Sequence, residues 1–376
     1  MKNLLVAFST ATLLLMGCKK NDATKVDVLS NPTEGQITVS AYGSLTKPSP
    51  LMVLDKNGQT ITQKTVPYAA INFNKWQVNG ATRYTYMEFD PNVVQLSQGI
   101  LPTTAVLLNE NLQEMKRIRL LPYNGRTASD ISAVDAHDFI YIDDNHYLVL
   151  AYFQKVVTNI PASLNPVSNC KVIAPIIQEI NNGQVVWEWD GTNFPEFYQH
   201  SVEGNDFSNA SGVHDYVHIN SIFIDPTDNN LICSLRNLNQ VIKVDRTTGN
   251  ILWRLGGTNS DYPMTADMKF LRQHHATLTD DNKTLLLFDN GEAKERKFSR
   301  VLEFALAQDA KNIQGFKSYN LPNGIFAQYM GSVQKRGNTY FIGCGSEPKI
   351  MEVDYTTDKI NFLMTLPNVS YRALKD

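Results

Sequence analysis

Apolar and polar residues alternate in short runs along most of the chain, and clusters of Asp, Asn, Gly and Pro close each run. Phe139, Ile140, Tyr141 and Ile142 lead into Asp143-Asp144-Asn145, after which residues 147–153 are apolar again. Residues 221–224, the turn 225–230 and residues 231–235 repeat the plan. Alternation of period two between turn-forming clusters predicts antiparallel hairpins. Only residues 302–312 have a spacing that suits a helix. The expected fold class is therefore all-β.

Two internal repeats narrow the architecture. Val241-Ile242-Lys243-Val244-Asp245-Arg246-Thr247-Thr248-Gly249 is echoed by Ile350-Met351-Glu352-Val353-Asp354-Tyr355-Thr356-Thr357-Asp358. Strands ending in tryptophan follow Gly183 and Gly249, at Trp187, Trp189 and Trp253, which are expected in the blade core. A strand, an Asp-x-Thr-Thr turn and a second strand resemble the outer half of a propeller blade. Repeats of this size with four short strands each point to a β-propeller of about six blades.

The chain start sets the expected domain limits. Lys2, an apolar run to Met16 and the sequence Leu15-Met16-Gly17-Cys18 form an export signal too short to span a bilayer. Residues 1–17 are expected to be a lipoprotein signal, Cys18 the lipidated residue and membrane anchor, and 18–30 a tether. Residues 31–376 then form the propeller, with a divergent part over 31–130 and the core motifs over 131–376. The protein is accordingly placed in the cell envelope, facing the periplasm or the surface. A net charge of −3 gives no basic field for nucleic acid. Beyond Cys18 the chain has only Cys170, Cys233 and Cys344, enough for one disulfide but no stapled framework.

Five of the seven histidines fall at or just before hairpins: His137, His214, His218, His274 and His275. In three segments a histidine leads into a strand, an Asp-rich turn and a return strand: His137 to Tyr152, His218 to Arg236, and His274 to Asp289-Asn290-Gly291. The start and end of a hairpin share one edge, so equivalent hairpins of different blades would bring His137, His218, His274 and Arg236 to one mouth of the central channel. His137 lies six residues before Asp143 and His274 six before Asp280, so His274 rather than His275 is expected to face that mouth. His146 and His200 are expected on the solvated surface. Tyr152 and Tyr216 are candidates for an aromatic acceptor site, and Asp138 and Asp215 for orienting neighbouring groups. A fixed guanidinium suits sulfate or phosphate oxygens, and a neutral imidazole is a competent nucleophile. The combination fits sulfuryl or phosphoryl transfer. No glycine loop for a nucleotide is evident.

Several motifs in order resemble the bacterial arylsulfate sulfotransferase family: His214-Asp215-Tyr216-Val217-His218-Ile219-Asn220-Ser221, Ser234-Leu235-Arg236, Gly249 to Gly257 with Trp253, Gln273-His274-His275-Ala276, Phe288-Asp289-Asn290-Gly291, Ser299-Arg300 and Ser332-Val333-Gln334. The resemblance implies a six-bladed propeller that moves a sulfuryl group from an aryl sulfate to a phenol by a ping-pong route, without nucleotide or other cofactor. It makes His274 the transiently sulfurylated nucleophile and Arg236 the charge clamp. His218 becomes a ligand of the sulfuryl oxygens or a proton donor, and His137 a stabilising group. Apart from the resemblance, His214 and Asn290 are candidate substrate contacts beside Arg236 and His218, Asn290 because its turn faces the same mouth, with loop folding as the other role open to His214. A homodimer is compatible with the sequence. His275 after the nucleophile departs from the family pattern, as do the short segment before the propeller and the missing cysteine pair near the nucleophile.

Two other functions compete. His137, His218 and His274 suit a divalent metal in a propeller lyase or hydrolase acting on polysaccharide, although Arg236 beside a cation opposes it. A non-catalytic binding propeller is the second.

Overall fold

The computed structural model describes residues 24–97, 99–126, 133–307 and 311–376. The expected export signal and the expected lipidation site Cys18 lie outside the described residues. Six small antiparallel sheets follow one another along the chain as the blades of a six-bladed β-propeller.

Blade 1 contains Ile37–Ser40, Ser49–Leu54 and Thr60–Val66, and blade 2 runs from Ala70–Val78 through Ala81–Phe89 and Pro102–Leu108 to Glu114–Ile118. Blade 3 comprises Phe139–Asp143, His146–Val157, Cys170–Asn181 and Gln184–Asp190. Blade 4 comprises Ile219–Ile224, Leu231–Leu235, Gln240–Val244 and Ile251–Gly256. Blade 5 comprises His274–Leu278, Thr284–Asp289, Arg300–Leu306 and Ile313–Asn320, and blade 6 Ser332–Arg336, Thr339–Gly343, Lys349–Asp354 and Lys359–Thr365. The first strands of successive blades pack against one another around the axis.

Both chain ends close the ring. Ala373–Lys375 pairs with Ile37–Ser40 as the missing first strand of blade 1, with Val39 opposite Ala373. Lys25–Val28 pairs with Lys359–Thr365 on the outside of blade 6. These four residues belong to the stretch expected to be a tether. Val26 packs with Phe362 and Met364, and Thr33 follows it by donating twice to the Glu352 carboxylate at 2.8 Å. Pairing of this kind removes two sheet edges that would otherwise template association.

The turn chemistry explains the repeats. In each Asp-x-Thr-Thr turn one carboxylate oxygen caps two backbone amides: Thr247 and Thr248 donate to Asp245, and Thr356 and Thr357 to Asp354. Asp225 and Asp143 each accept from one turn amide, that of Thr227 and that of Asn145. Such turns present the backbone with a local acceptor and fix the reversal.

The helix expected over residues 302–312 is not formed. Arg300–Leu306 is a strand between its two neighbours, because Leu302 and Phe304 alternate with Val301 and Glu303 in a sheet buried on both faces. Glu303 is tolerated there because Lys335 donates to it at 2.8 Å and Tyr340 through its hydroxyl. The single α-helix among the described residues is Glu196–His200, after blade 3. Cys170, Cys233 and Cys344 are buried free thiols, so no disulfide links them. Trp189 is core, and its indole N–H donates to the Gly249 carbonyl of blade 4 at 3.1 Å.

Candidate functional site

A cavity of about 780 Å³ opens at one end of the propeller axis, and His137, His218, His274 and Arg236 all line it. Each arrives from the rim of a different strand or hairpin. His137 precedes the first strand of blade 3, His218 precedes that of blade 4, and His274 begins that of blade 5. Arg236 follows the second strand of blade 4, where its N–H donates to the His218 carbonyl at 2.9 Å. The hairpin geometry therefore sets the two beside each other.

His274 is held in one tautomer. The Asn290 side-chain nitrogen donates to the carbonyls of Ala327 at 2.7 Å and Met330 at 2.8 Å, which leaves its oxygen facing His274. His274 Nδ1 lies 2.7 Å from that oxygen and 3.1 Å from the Arg272 carbonyl, two groups that only accept. Nδ1 must carry the hydrogen, and Nε2 must carry the lone pair. The Met330 amide approaches Nε2 at 3.3 Å. Burial holds the His274 pKa well below its ordinary value, with the Arg236, His137 and His218 charges adding to the shift against the Asn290 bond. The ring is neutral at neutral pH.

His137 and His218 meet Nε2 to Nε2 at 3.3 Å, with ring planes 80° apart. Behind them, Asp135 takes His137 Nδ1 and its backbone amide, and Asp215 takes His218 Nδ1 at 2.6 Å. Burial lowers the His218 pKa, and the Asp215 carboxylate works against that shift. Arg236 donates through Nη1 to Glu203 at 2.9 Å and to Asn237 at 2.6 Å. Burial lowers its pKa from the ordinary value, yet a guanidinium stays charged in proteins.

Two residues that line the cavity have left-handed backbone, His218 at φ 54° and Met330 at 65°, as do Arg272 at 57° and His275 at 52° on either side of His274 in the chain. Each such residue is strained by roughly 1–3 kcal/mol, and strain of this kind gathers at functional sites. Gly99 covers His218 so closely that a Cβ there would lie 3.2 Å from the imidazole carbon Cε1. Tyr371 was not anticipated from the sequence. Its ring stands edge-on to His137 at 5.7 Å and to His274 at 6.4 Å, and its hydroxyl donates to the Asn220 carbonyl at 3.0 Å.

Several expected contacts lie elsewhere. His214 does not line the cavity: Val213–His214 pairs parallel with Lys171 and Val172, and its ring packs edge-on against Phe207 at 5.2 Å. Asn290 is fully buried behind His274 rather than facing the cavity. Tyr216 is buried in a stack with Tyr198, and Tyr152 is buried with its hydroxyl on the Ile219 carbonyl. The aromatic rings that do line the cavity are Tyr42, Tyr329 and Tyr371. His146 is half-buried against Glu179 at 2.6 Å rather than free in solvent, while His200 bonds the Thr258 hydroxyl at the surface.

His275 faces the other way. It lines a second cavity of about 770 Å³ that it shares with Asp138 and Arg372. Asp138 does orient its surroundings: it takes a bidentate pair from Arg372 at 2.9 and 3.1 Å, the Asn72 amide and the Ile222 backbone. Among the described residues no group of three or more histidine, cysteine, aspartate or glutamate side chains is spaced to hold a metal ion.

The fold and the cavity define a six-bladed propeller with a histidine and arginine site at one end of its axis. The chain belongs to the arylsulfotransferase (ASST) family, whose sequence profile matches residues 79–372. No curated protein matches the chain significantly. Among solved structures it is similar to a protein of unknown function from Bacteroides caccae, at 10% identity over 91% of this chain and 99% of that one, with a TM-score of 0.49. A Lactobacillus plantarum protein is similar at 11% identity over 92% of this chain and 100% of that one, with a TM-score of 0.47. Both likenesses are weak.

Proposed function

We propose that this propeller moves a sulfuryl group from an aryl sulfate to a phenol by way of a sulfurylated His274. The observation that carries this is the tautomer. Asn290 and Arg272 keep the hydrogen on Nδ1, so a neutral imidazole carries its lone pair on Nε2, which gives up the long 3.3 Å bond from the Met330 amide when it attacks.

The Nε2 lone pair attacks sulfur, the bond from sulfur to the aryl oxygen breaks, and the aryl oxide leaves with the electron pair. The ring becomes an N-sulfo imidazolium whose positive charge the Asn290 oxygen faces. Arg236 supplies a fork of donors for the sulfuryl oxygens. The phenol oxygen then bonds the same sulfur as the S–N bond breaks and returns its electron pair to Nε2, and the proton the phenol gives up balances the aryl oxide released in the first half. The signal-like sequence over residues 1–17 and the Cys18 that follows it support a lipid-anchored protein working at the cell envelope as part of this reading.

Soluble protein from Asn21 onward, given 4-nitrophenyl sulfate without acceptor, should release one equivalent of nitrophenolate and gain one acid-labile sulfuryl group. Phenol should then restore turnover. Release in which water serves as well as phenol, or a modification that maps away from His274, would reject the proposal.

A further inference from the structure

His137 and His218 are separate residues in sequence but one object in space. Their Nε2 atoms are 3.3 Å apart, and each Nδ1 is committed to a carboxylate, Asp135 in one case and Asp215 in the other. An ionised carboxylate accepts and cannot donate, so both Nδ1 atoms carry hydrogens. Only three states remain for the facing Nε2 atoms. With no proton between them, two lone pairs confront each other. With two protons, two N–H groups do. With one proton, the contact is an N–H···N hydrogen bond.

We infer that His137 and His218 share a single proton and act as one acid–base unit, with Asp135 and Asp215 as its positioning residues. This rests on the sulfuryl-transfer reading and divides the labour within it: Arg236 takes the sulfuryl oxygens and the histidine pair serves the aryl oxygen.

The surroundings favour the middle state. Asp135 and Asp215 oppose loss of the last proton, while burial and the Arg236 charge oppose gain of a second. Two further neighbours bear no charge at neutral pH. Tyr371 stands edge-on to His137, and the Tyr152 ring lies 6.4 Å from His218, both with pKa values raised by burial. His274 on the third side is neutral by burial. A shared proton under two carboxylates is a proton store beside the cavity that Arg236 and His274 line.

The step balances. As the S–O bond breaks, the aryl oxygen takes the proton from the pair and leaves as a phenol, and the pair becomes neutral. In the second half, the acceptor phenol gives its proton to the pair while its oxygen bonds sulfur and the S–N bond breaks. No proton is exchanged with water over the cycle.

Leaving groups of different basicity test this. Nitrophenolate departs without a proton, whereas unsubstituted phenolate needs one. Replacing both carboxylates (Asp135→Asn with Asp215→Asn) keeps an oxygen acceptor at each Nδ1 but removes the charge that holds the proton. The burst with phenyl sulfate should fall at least about tenfold further than that with 4-nitrophenyl sulfate, within the range typical of general acids. A surviving nitrophenolate burst shows that the variant is folded. Equal losses with both donors would overturn the inference. No sulfurylation by wild-type protein with any aryl sulfate would instead reject the underlying function. Histidine-labelled wild-type protein gives a reading independent of turnover. One protonated and one bare Nε2, coupled to each other across the hydrogen bond in nitrogen NMR, is expected. Two uncoupled bare nitrogens would sink the shared proton.

Discussion

His274 and Asn290 are joined by a 2.7 Å hydrogen bond whose direction is set from behind, because both amide hydrogens of Asn290 are already used on the carbonyls of Ala327 and Met330. Removing that oxygen should free the imidazole to adopt the other tautomer. We expect Asn290→Ala to slow sulfurylation by roughly 10–100-fold, the rate equivalent of losing a hydrogen bond to a group that becomes charged. Asn290→Asp should act differently. A carboxylate beside Nδ1 raises the His274 pKa, so the acid limb of the rate profile should move to higher pH. An unchanged acid limb in that variant would mean the bond does not govern the nucleophile.

The neighbouring histidines should behave oppositely. His274→Ala should abolish phenol-dependent transfer, whereas His275→Ala should keep it within a few-fold, since His275 lines the second cavity and contacts the Val333 backbone at 3.0 Å. Loss of transfer in both variants, with each protein still folded, would show that the two cavities are not independent.

The three histidine hairpins were legible because each joins an apolar run to a turn capped by an aspartate, Asp143, Asp225 or Asp281, although each also carries a register shift. Counting back from Asp143 and Asp280 reached His274, but the aspartate that caps this turn is Asp281, at the Lys283 amide. A register shift falls between His274 and Thr277, so it is the left-handed backbone at His275 that turns the two side chains apart. The same counting failed where no strand sets the period. His214 sits in a loop and is captured by Phe207 and a parallel pairing to Lys171–Val172, which hairpin logic does not anticipate. Asp135, Glu203 and Tyr371 carried no repeat to mark them. Tyr371 reaches the site only because the chain end returns to close blade 1, a consequence of ring closure that no local pattern encodes.

Glu203 pairs with Arg236 at 2.9 Å, and Arg272 binds the same carboxylate oxygen. An arriving sulfate ester must compete with this internal anion for the guanidinium. We therefore expect Glu203→Gln to lower the KM for aryl sulfates severalfold with little change in kcat. Arg236→Lys should keep the charge but lose the planar fork and much of the rate. A raised KM in Glu203→Gln would instead mean that Glu203 holds Arg236 in its working position.

The buried neutral histidines make acid stability predictable. His274 and His275 both have folded pKa values well below the ordinary value of about 6.5, chiefly through burial. Below that pH the unfolded chain binds protons that the folded protein refuses. Their contribution is therefore intact above about pH 6.5 and is lost as pH falls from there toward the folded values, by up to about 1.4 kcal/mol per pH unit for each residue. Thermal melts should show Tm nearly level above pH 7 and falling below 6.5. His275→Gln should flatten that fall, and an unaltered slope would remove His275 as a source of it.

Arg372 and Asp138 form a bidentate pair between the two cavities, with side chains 4% and 6% exposed. Arg372 directly follows Tyr371 and precedes the closing strand Ala373–Lys375, while Asp138 directly follows His137. The pair thus ties ring closure to the placement of His137 and of the tyrosine between His137 and His274. Arg372→Ala leaves a buried carboxylate without its counter-charge and should destabilise the protein by about 3–5 kcal/mol. Removing both charges (Asp138→Asn with Arg372→Gln) should recover much of that loss in denaturant melts, because no unpaired charge remains buried. Transfer should recover with stability only if the Tyr371 ring keeps its place. Tyr371→Phe, which preserves the ring and gives up only the bond to the Asn220 carbonyl, should stay within a few-fold of wild type. A larger loss in Tyr371→Phe would shift the role from the ring to the hydroxyl.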